Sequence, residues 1–165
     1  MKQAITTSTI FKAILAFTIL FAAFLSVAII YNKVYKLKNQ TISIIEKYEG
    51  VTTKSLSIIN NYLRNSGYDT TGNCEIGDYG VSDLNKTTYE KVASNKKEYY
   101  YCLSYYCSSK GCKISDKKSP NGNTILYKTR LFFKFNLPIF GELTTFNISG
   151  ETKEIKLYDE SQKIK

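Results

Sequence analysis

The chain has 165 residues, a formal charge of +9, four cysteines, two prolines, and neither histidine nor tryptophan. That length leaves room for one small folded domain beside any membrane segment. The missing histidine removes Ser-His and Cys-His nucleophile pairs, HExxH zinc sites and the commonest general base near neutral pH, which excludes most familiar hydrolases.

The charge is concentrated at one end. Lys2, Lys12, Lys33, Lys36 and Lys38 flank a single apolar segment and supply five of the nine net positive charges, leaving about +4 for the rest. Beside anionic head groups such lysines are worth about 1 kcal/mol each, so Lys12, Lys33, Lys36 and Lys38 read as interfacial anchors. No basic motif or aromatic-basic interleaving of a nucleic-acid module accompanies them, and no nucleic-acid partner is expected.

Residues 1–12 form a short N-terminus, expected to be cytoplasmic. From Ala13 to Tyr31, AILAFTILFAAFLSVAIIY runs nineteen residues without a charge. As a helix it spans about 28 Å, close to a hydrocarbon core, and is predicted to be transmembrane. A cleaved signal peptide, with Ser26-Val27-Ala28 at the cut, is the competing reading. The length of the run, its continuation as Ile29-Ile30-Tyr31 and the helical pattern beyond all favour retention. The positive-inside count is nearly balanced across the span, and the cysteines beyond it favour N-in, C-out.

Residues 32–66 are predicted to be an amphipathic helical stem. Val34, Leu37, Ile44, Ile45 and Tyr48 recur at helical spacing, which suggests one helix from about 8 to 49. Gly50 offers a stop, Thr52 or Thr53 a cap, and Leu56, Ile59, Tyr62 and Leu63 a second stripe ending before Gly67.

Residues 67–165 are expected to form an extracytoplasmic β-rich domain. Its first thirty residues are rich in Gly, Asn, Asp, Ser and Thr and read as an irregular surface excursion. Near Glu98 a strand begins in which Tyr99, Tyr101, Leu103 and Tyr105 share a face. The tyrosine-rich run EYYYCLSYYC could stack on a ligand, but its alternation fits a strand with one packed face. Thr124 to Leu137 is the clearest strand, with Ile125, Tyr127, Leu131, Phe133, Phe135 and Leu137 on one side. Pro138 and Gly141 make a turn, strands follow over 143–148 and 152–158, and a parity change suggests a bulge or tight turn at Gly150. The fold class is therefore α+β: a transmembrane helix with an amphipathic extension, then a small antiparallel sheet.

Cys74, Cys102, Cys107 and Cys112 all follow the apolar span, and in a small extracytoplasmic domain they read as two disulfides. Cys102 and Cys107 have opposite strand parity. The CSSKGC stretch could set Cys107 opposite Cys112, leaving Cys74 to join Cys102 and close a loop worth roughly 3.5 kcal/mol. A four-cysteine zinc site remains as an alternative, although the spacing offers only two overlapping C-x4-C pairs. No C-x-x-C is present for thiol-disulfide exchange. Asn39, Asn85 and Asn147 begin glycosylation sequons, relevant only to a eukaryotic or viral source.

A short polar N-terminus, an apolar helix running into an amphipathic stem and a C-terminal antiparallel sheet resemble the plan of type IV pilins and pseudopilins. Locally, LFFKFNLPIFGELTTFNISGETKEI, residues 131–155, resembles the ending of TadE-like minor pilins. The resemblance implies assembly with other membrane or pilus-assembly subunits through the apolar helix and stem, the sheet displayed at the cell surface and the lipid bilayer as a further partner. The expected function is a non-enzymatic, single-pass structural subunit of the plasma membrane, with no cofactor, metal or catalytic residue. The alternative is a membrane-anchored binding module or receptor, its contact surface built from residues 67–97 and the CSSKGC loop.

Overall fold

The computed structural model describes residues 2–94, 96–107, 124–137 and 141–156; for 2–7, 107, 135–137 and 141–144 it describes the backbone alone. Two helices, α1 (Lys2–Lys47) and α2 (Thr53–Asn65), precede eight strands. These are β1 (Gly72–Asn73), β2 (Tyr79–Val81), β3 (Glu90–Lys91), β4 (Glu98–Tyr99), β5 (Tyr101–Cys107), β6 (Thr124–Leu137), β7 (Gly141–Glu151) and β8 (Ile155–Lys156). The main sheet is antiparallel in the order β3-β2-β5-β6-β7, with β8 also on β6, and β1 pairs with β4 in a separate ribbon. The architecture is α+β.

No glycine or proline interrupts the chain before Gly50, so α1 runs unbroken. It starts earlier than the expected residue 8 and stops two residues short of 49. The stop is a Schellman turn: Gly50 N–H donates to Ile45 C=O and Glu49 N–H to Glu46 C=O. Unusually, the left-handed residue is Glu49, at φ 52°. α2 closes with the same pair of bonds, from Tyr68 to Leu63 and Gly67 to Arg64, and there glycine takes the left-handed position at φ 64°. Thr52 caps the start of α2 in a reciprocal capping box with Ser55.

The stem and the β-rich region share one core. Val34, Leu37, Ile44 and Ile45 of α1 and Leu56, Ile59 and Leu63 of α2 are buried with Val81, Tyr101, Leu103, Tyr127, Leu131 and Phe133 on the inner face of the sheet. Each fully buried aliphatic side chain contributes about 1.5–3 kcal/mol. α1 lies antiparallel to β6: Val34 meets the Phe133 end of the strand, while Lys38 and Ile42 cross Gly150, which pairs with Thr129. A Cβ on Gly150 would strike the tip of Ile42 and come within 2.8 Å of Lys38 Cδ. Gly150 is thus a point of close approach for α1, not the expected bulge or turn. The bulge falls between Lys134 and Asn136, and the parity change comes after Glu151, where β7 hands the edge of β6 to β8.

The excursion is likewise less superficial than its composition suggests. Residues 79–81 enter the sheet as β2, and Val81, Leu84 and Val92 are buried. Its cysteine, Cys74, joins Val92, Tyr99, Cys102 and Phe132 in a second small core on the outer face of the sheet. Tyr99 therefore leaves the face expected for it, while Tyr101, Leu103 and Tyr105 keep theirs. Two glycines make the outer packing possible: a Cβ on Gly72 would enter the Phe132 ring, and one on Gly80 the Tyr99 ring.

The change of face at Tyr100 ends the β5–β6 ladder at Tyr101↔Leu131. The next rung would join Tyr100 to Phe132, and the Tyr68 hydroxyl occupies it, donating to Tyr100 C=O and accepting from Phe132 N–H, both at 2.8 Å. Thr152 does the same on the other edge, its N–H donating to Tyr127 C=O at 2.9 Å and its Oγ1 accepting Tyr127 N–H at 3.0 Å.

Tyr68→Phe should leave Phe132 N–H and Tyr100 C=O unpaired at a cost of about 1–3 kcal/mol. In urea unfolding of the full-length protein in detergent micelles the midpoint should fall, and hydrogen exchange at Phe132 should accelerate; unchanged exchange there would refute the inserted rung. Glu49→Gly should instead raise the unfolding free energy by up to about 1 kcal/mol, and with it the midpoint, because glycine adopts the left-handed conformation without steric penalty. A loss of stability in that variant would mean the exposed Glu49 side chain contributes more than its backbone strain costs.

Candidate functional site: an apolar helix face and a disulfide-pinned outer face

α1 is the one helix among the described residues with the length and composition to cross a membrane. From Ile10 to Ile29 it exposes large apolar side chains on all sides, with Phe17 at 69%, Phe24 at 68% and Ile29 at 68% of full exposure. An exposed apolar surface this continuous makes α1 the candidate contact surface among the described residues. Within it Phe17, Phe21 and Phe24 recur at i, i+4 and i+7, continued by Tyr31 and Tyr35. Phe17 stacks on Phe21 and Tyr31 on Tyr35, each with centroids 6.3 Å apart. More than a third of a turn away, Ala23, Ser26, Val27 and Ile30 are partly covered and lead into the buried stripe that begins at Val34.

The expected anchors divide by position. Lys12, Lys33 and Lys36 are exposed, whereas Lys38 is half-buried, with its stem over Gly150 and its ammonium 4.3 Å from the Tyr35 ring centroid. Lys38 therefore also packs α1 onto the sheet, the amphipathic behaviour of a long side chain with an apolar stem. Tyr31, Lys33, Tyr35 and Lys36 together make an aromatic and basic collar at the end of the apolar span.

On the opposite face of the sheet, Cys74 is joined to Cys102 with Cα atoms 5.6 Å apart. The bond ties the excursion to β5 directly under the Tyr99 and Phe132 rings. Arg130 reinforces it by donating to Glu75 at 2.6 Å. The Asp78 carboxyl nearby is raised above its ordinary range by burial, and the charge of Arg130 only partly offsets this. Glu90 and Lys97 pair across the rim, which holds the Glu90 carboxyl low. The side chain of Cys107 and all of Cys112 lie outside the described residues, as do the CSSKGC loop and Pro138.

The tyrosine run is chiefly structural. The Tyr101 hydroxyl donates to Asn60 Oδ1 at 2.7 Å, and Asn60 Nδ2 donates to Lys86 C=O, locking α2 to the excursion. Tyr79 packs against Tyr89 and Tyr105, and Tyr105 against Tyr127. Burial pushes the Tyr127 phenol up to about 12 and raises those of Tyr68 and Tyr101 still further. These phenols remain protonated hydrogen-bond donors throughout the neutral range. Among the described residues no three His, Cys, Asp or Glu side chains converge in a way that could hold a metal ion. The sequon residues Asn39, Asn85 and Asn147 are exposed, and the Asn85 amide is already engaged by Arg64 and Asp83.

Sequence reasoning missed Tyr68 and the Arg130–Glu75 pair. Tyr68 follows directly on Gly67 as the residue that closes the Schellman turn of α2, the one local signal that would have fixed its place.

The double variant Cys74→Ser/Cys102→Ser releases a closure between residues 28 apart in sequence, which should lower the unfolding free energy of the oxidised full-length protein by about 3.5 kcal/mol. Denaturant titration in detergent measures it, and an unchanged midpoint would mean the outer core holds the excursion without its covalent bond.

Comparison with protein-family models, with curated proteins and with solved structures gives no match.

Proposed function

We propose that this chain is a non-enzymatic, membrane-anchored structural subunit, pilin-like or minor-pilin-like, with a cytoplasmic N-terminus and the sheet domain displayed outside the cytoplasm. The observation that carries the reading is the double use of α1. One continuous helix exposes its first half as apolar surface and buries one stripe of its second half in the domain core. An anchor that merely tethered a domain would not need to enter that domain's core. A rigid rod with a head fixed to it suits side-by-side assembly, in which the apolar halves bundle and the sheets face outward. The aromatic stripe Phe17, Phe21, Phe24 supports this, because it lies away from the flank of α1 nearest the domain. No carboxylate precedes Glu46, so association along the helix would rest on shape and apolar packing alone.

The disulfide-pinned outer layer supports a second reading, a membrane-anchored binding module. Its exposed Ile76 stands beside the Glu75–Arg130 pair on a rigid, covalently fixed face.

A photo-crosslinking benzoyl analogue of phenylalanine in place of Phe24, in full-length protein in its native type of membrane, separates the two. Irradiation should give a ladder at multiples of the chain mass. Monomer alone would remove the assembly reading and leave the binding module.

A further inference from the structure

Where α1 leaves the domain, a cleft of about 340 Å³ opens between the helix, the turn after α2 and the end of β6. Most of its exposed lining is polar, with Lys33, Lys134, Asp69 and Thr70 around it, Ile30 at its apolar edge and the buried Val34 and Phe133 behind. Charged groups of both signs beside a short apolar edge suit a small charged ligand, and the volume lies in the usual range of about 300–1,000 Å³. Gly67 keeps the opening clear. The Lys33 ammonium lies 4.0 Å from where a Gly67 side chain would begin, in a turn that already requires a left-handed residue.

The cleft's height along α1 identifies its ligand. Between Lys12 and Lys33 the helix carries no charge, so Lys33 is the first cation beyond the apolar run. With residues 13–31 in hydrocarbon, Lys33 stands at head-group level, and β6 brings Lys134 to the same cleft. Ile30 carries the cleft's apolar edge on toward the span. We propose that the cleft holds one anionic glycerophospholipid of the phosphatidylglycerol type. Its phosphodiester sits between the two ammonium groups, with the Thr70 hydroxyl as a further donor. Its glycerol hydroxyls donate to Asp69, and the start of its acyl chains lies along Ile30 toward the apolar run. Two lysines against one aspartate leave the rim with one net positive charge, which favours an anionic lipid over a zwitterionic one. The proposal rests on the membrane-anchored reading above.

The test is native mass spectrometry of the full-length protein released from micelles containing phosphatidylglycerol, phosphatidylcholine or glycerol phosphate, with each variant also extracted from membranes by alkaline carbonate. Wild type should retain one phosphatidylglycerol in preference to phosphatidylcholine. Lys33→Gln/Lys134→Gln should lose at least about tenfold in retention, the scale of a charged hydrogen bond removed. Lys91→Gln, an exposed lysine of β3 outside both the cleft and the collar, should behave as wild type. Equal retention by the double variant, equal loss in Lys91→Gln, or no preference between the lipids would each overturn the site. Retention of glycerol phosphate alone would assign the cleft to a free anion and overturn the lipid. Carbonate separates the two levels: a protein that stays in the pellet without lipid selectivity refutes the cleft and spares the anchor, whereas release of wild type refutes both.

Discussion

The central strand β6 is fourteen residues long and buried on both faces through Leu131–Phe133, and a buried backbone leaves no N–H or C=O without a partner. Neither neighbour runs its full length: β5 reaches only Leu131 on one side, and β7 and β8 divide the other between them. The places where those neighbours stop explain much of the remaining structure. At one gap the Tyr68 hydroxyl supplies both a donor and an acceptor; at the other Thr152 uses its own N–H and hydroxyl. Tyr68 can reach its gap because the Schellman turn of α2 delivers it there, so a helix end and a sheet defect are solved by the same few residues. Thr129, on the inner face of the same strand, has a buried hydroxyl without a hydrogen-bond partner among the described residues. Its small side chain, opposite Gly150, lets α1 lie close.

The same helix serves two surroundings, and its residues change accordingly. Up to Ile29 it is apolar around most of its circumference; from Val34 onward it is apolar along one stripe and polar elsewhere. The transition is marked by Tyr31, Lys33, Tyr35 and Lys36. On the domain's flank the apolar half carries Ala23 and Ser26 beside Val27 and Ile30, while its phenylalanines stand more than a third of a turn away.

Much of this was legible because it rests on periodicity or local chemistry. The span of α1, the cap and stripe of α2, and β6 with its inner face from Ile125 to Phe133 follow from spacing alone. The nearness of Cys74 to Cys102 followed from parity. What sequence could not reveal depends on contacts distant along the chain. Tyr99 reads as continuing the alternation of Tyr101 and Leu103, and only the arrival of Tyr68 at Tyr100 turns it to the other face. Gly150 looks like a turn residue until α1 lies across it, and Gly72 and Gly80 look like loop residues until aromatic rings cover them. Of the cleft, Lys33 was legible as an anchor, whereas nothing in the spacing joins Lys134 to it. Their meeting is a property of the antiparallel crossing of α1 and β6.

That crossing also determines how the molecule bears load. A pull on the N-terminal half of α1 travels along an unbroken rod and enters the sheet parallel to β6, so the core is sheared over its whole length rather than peeled open from one end. Behind it, the bond between Cys74 and Cys102 bridges 28 positions of sequence. Chain that could otherwise be drawn out by roughly 95 Å is thereby kept from extending. Under tension the domain would behave as a short, stiff link, yielding first where the helix slides against the sheet rather than by paying out the excursion.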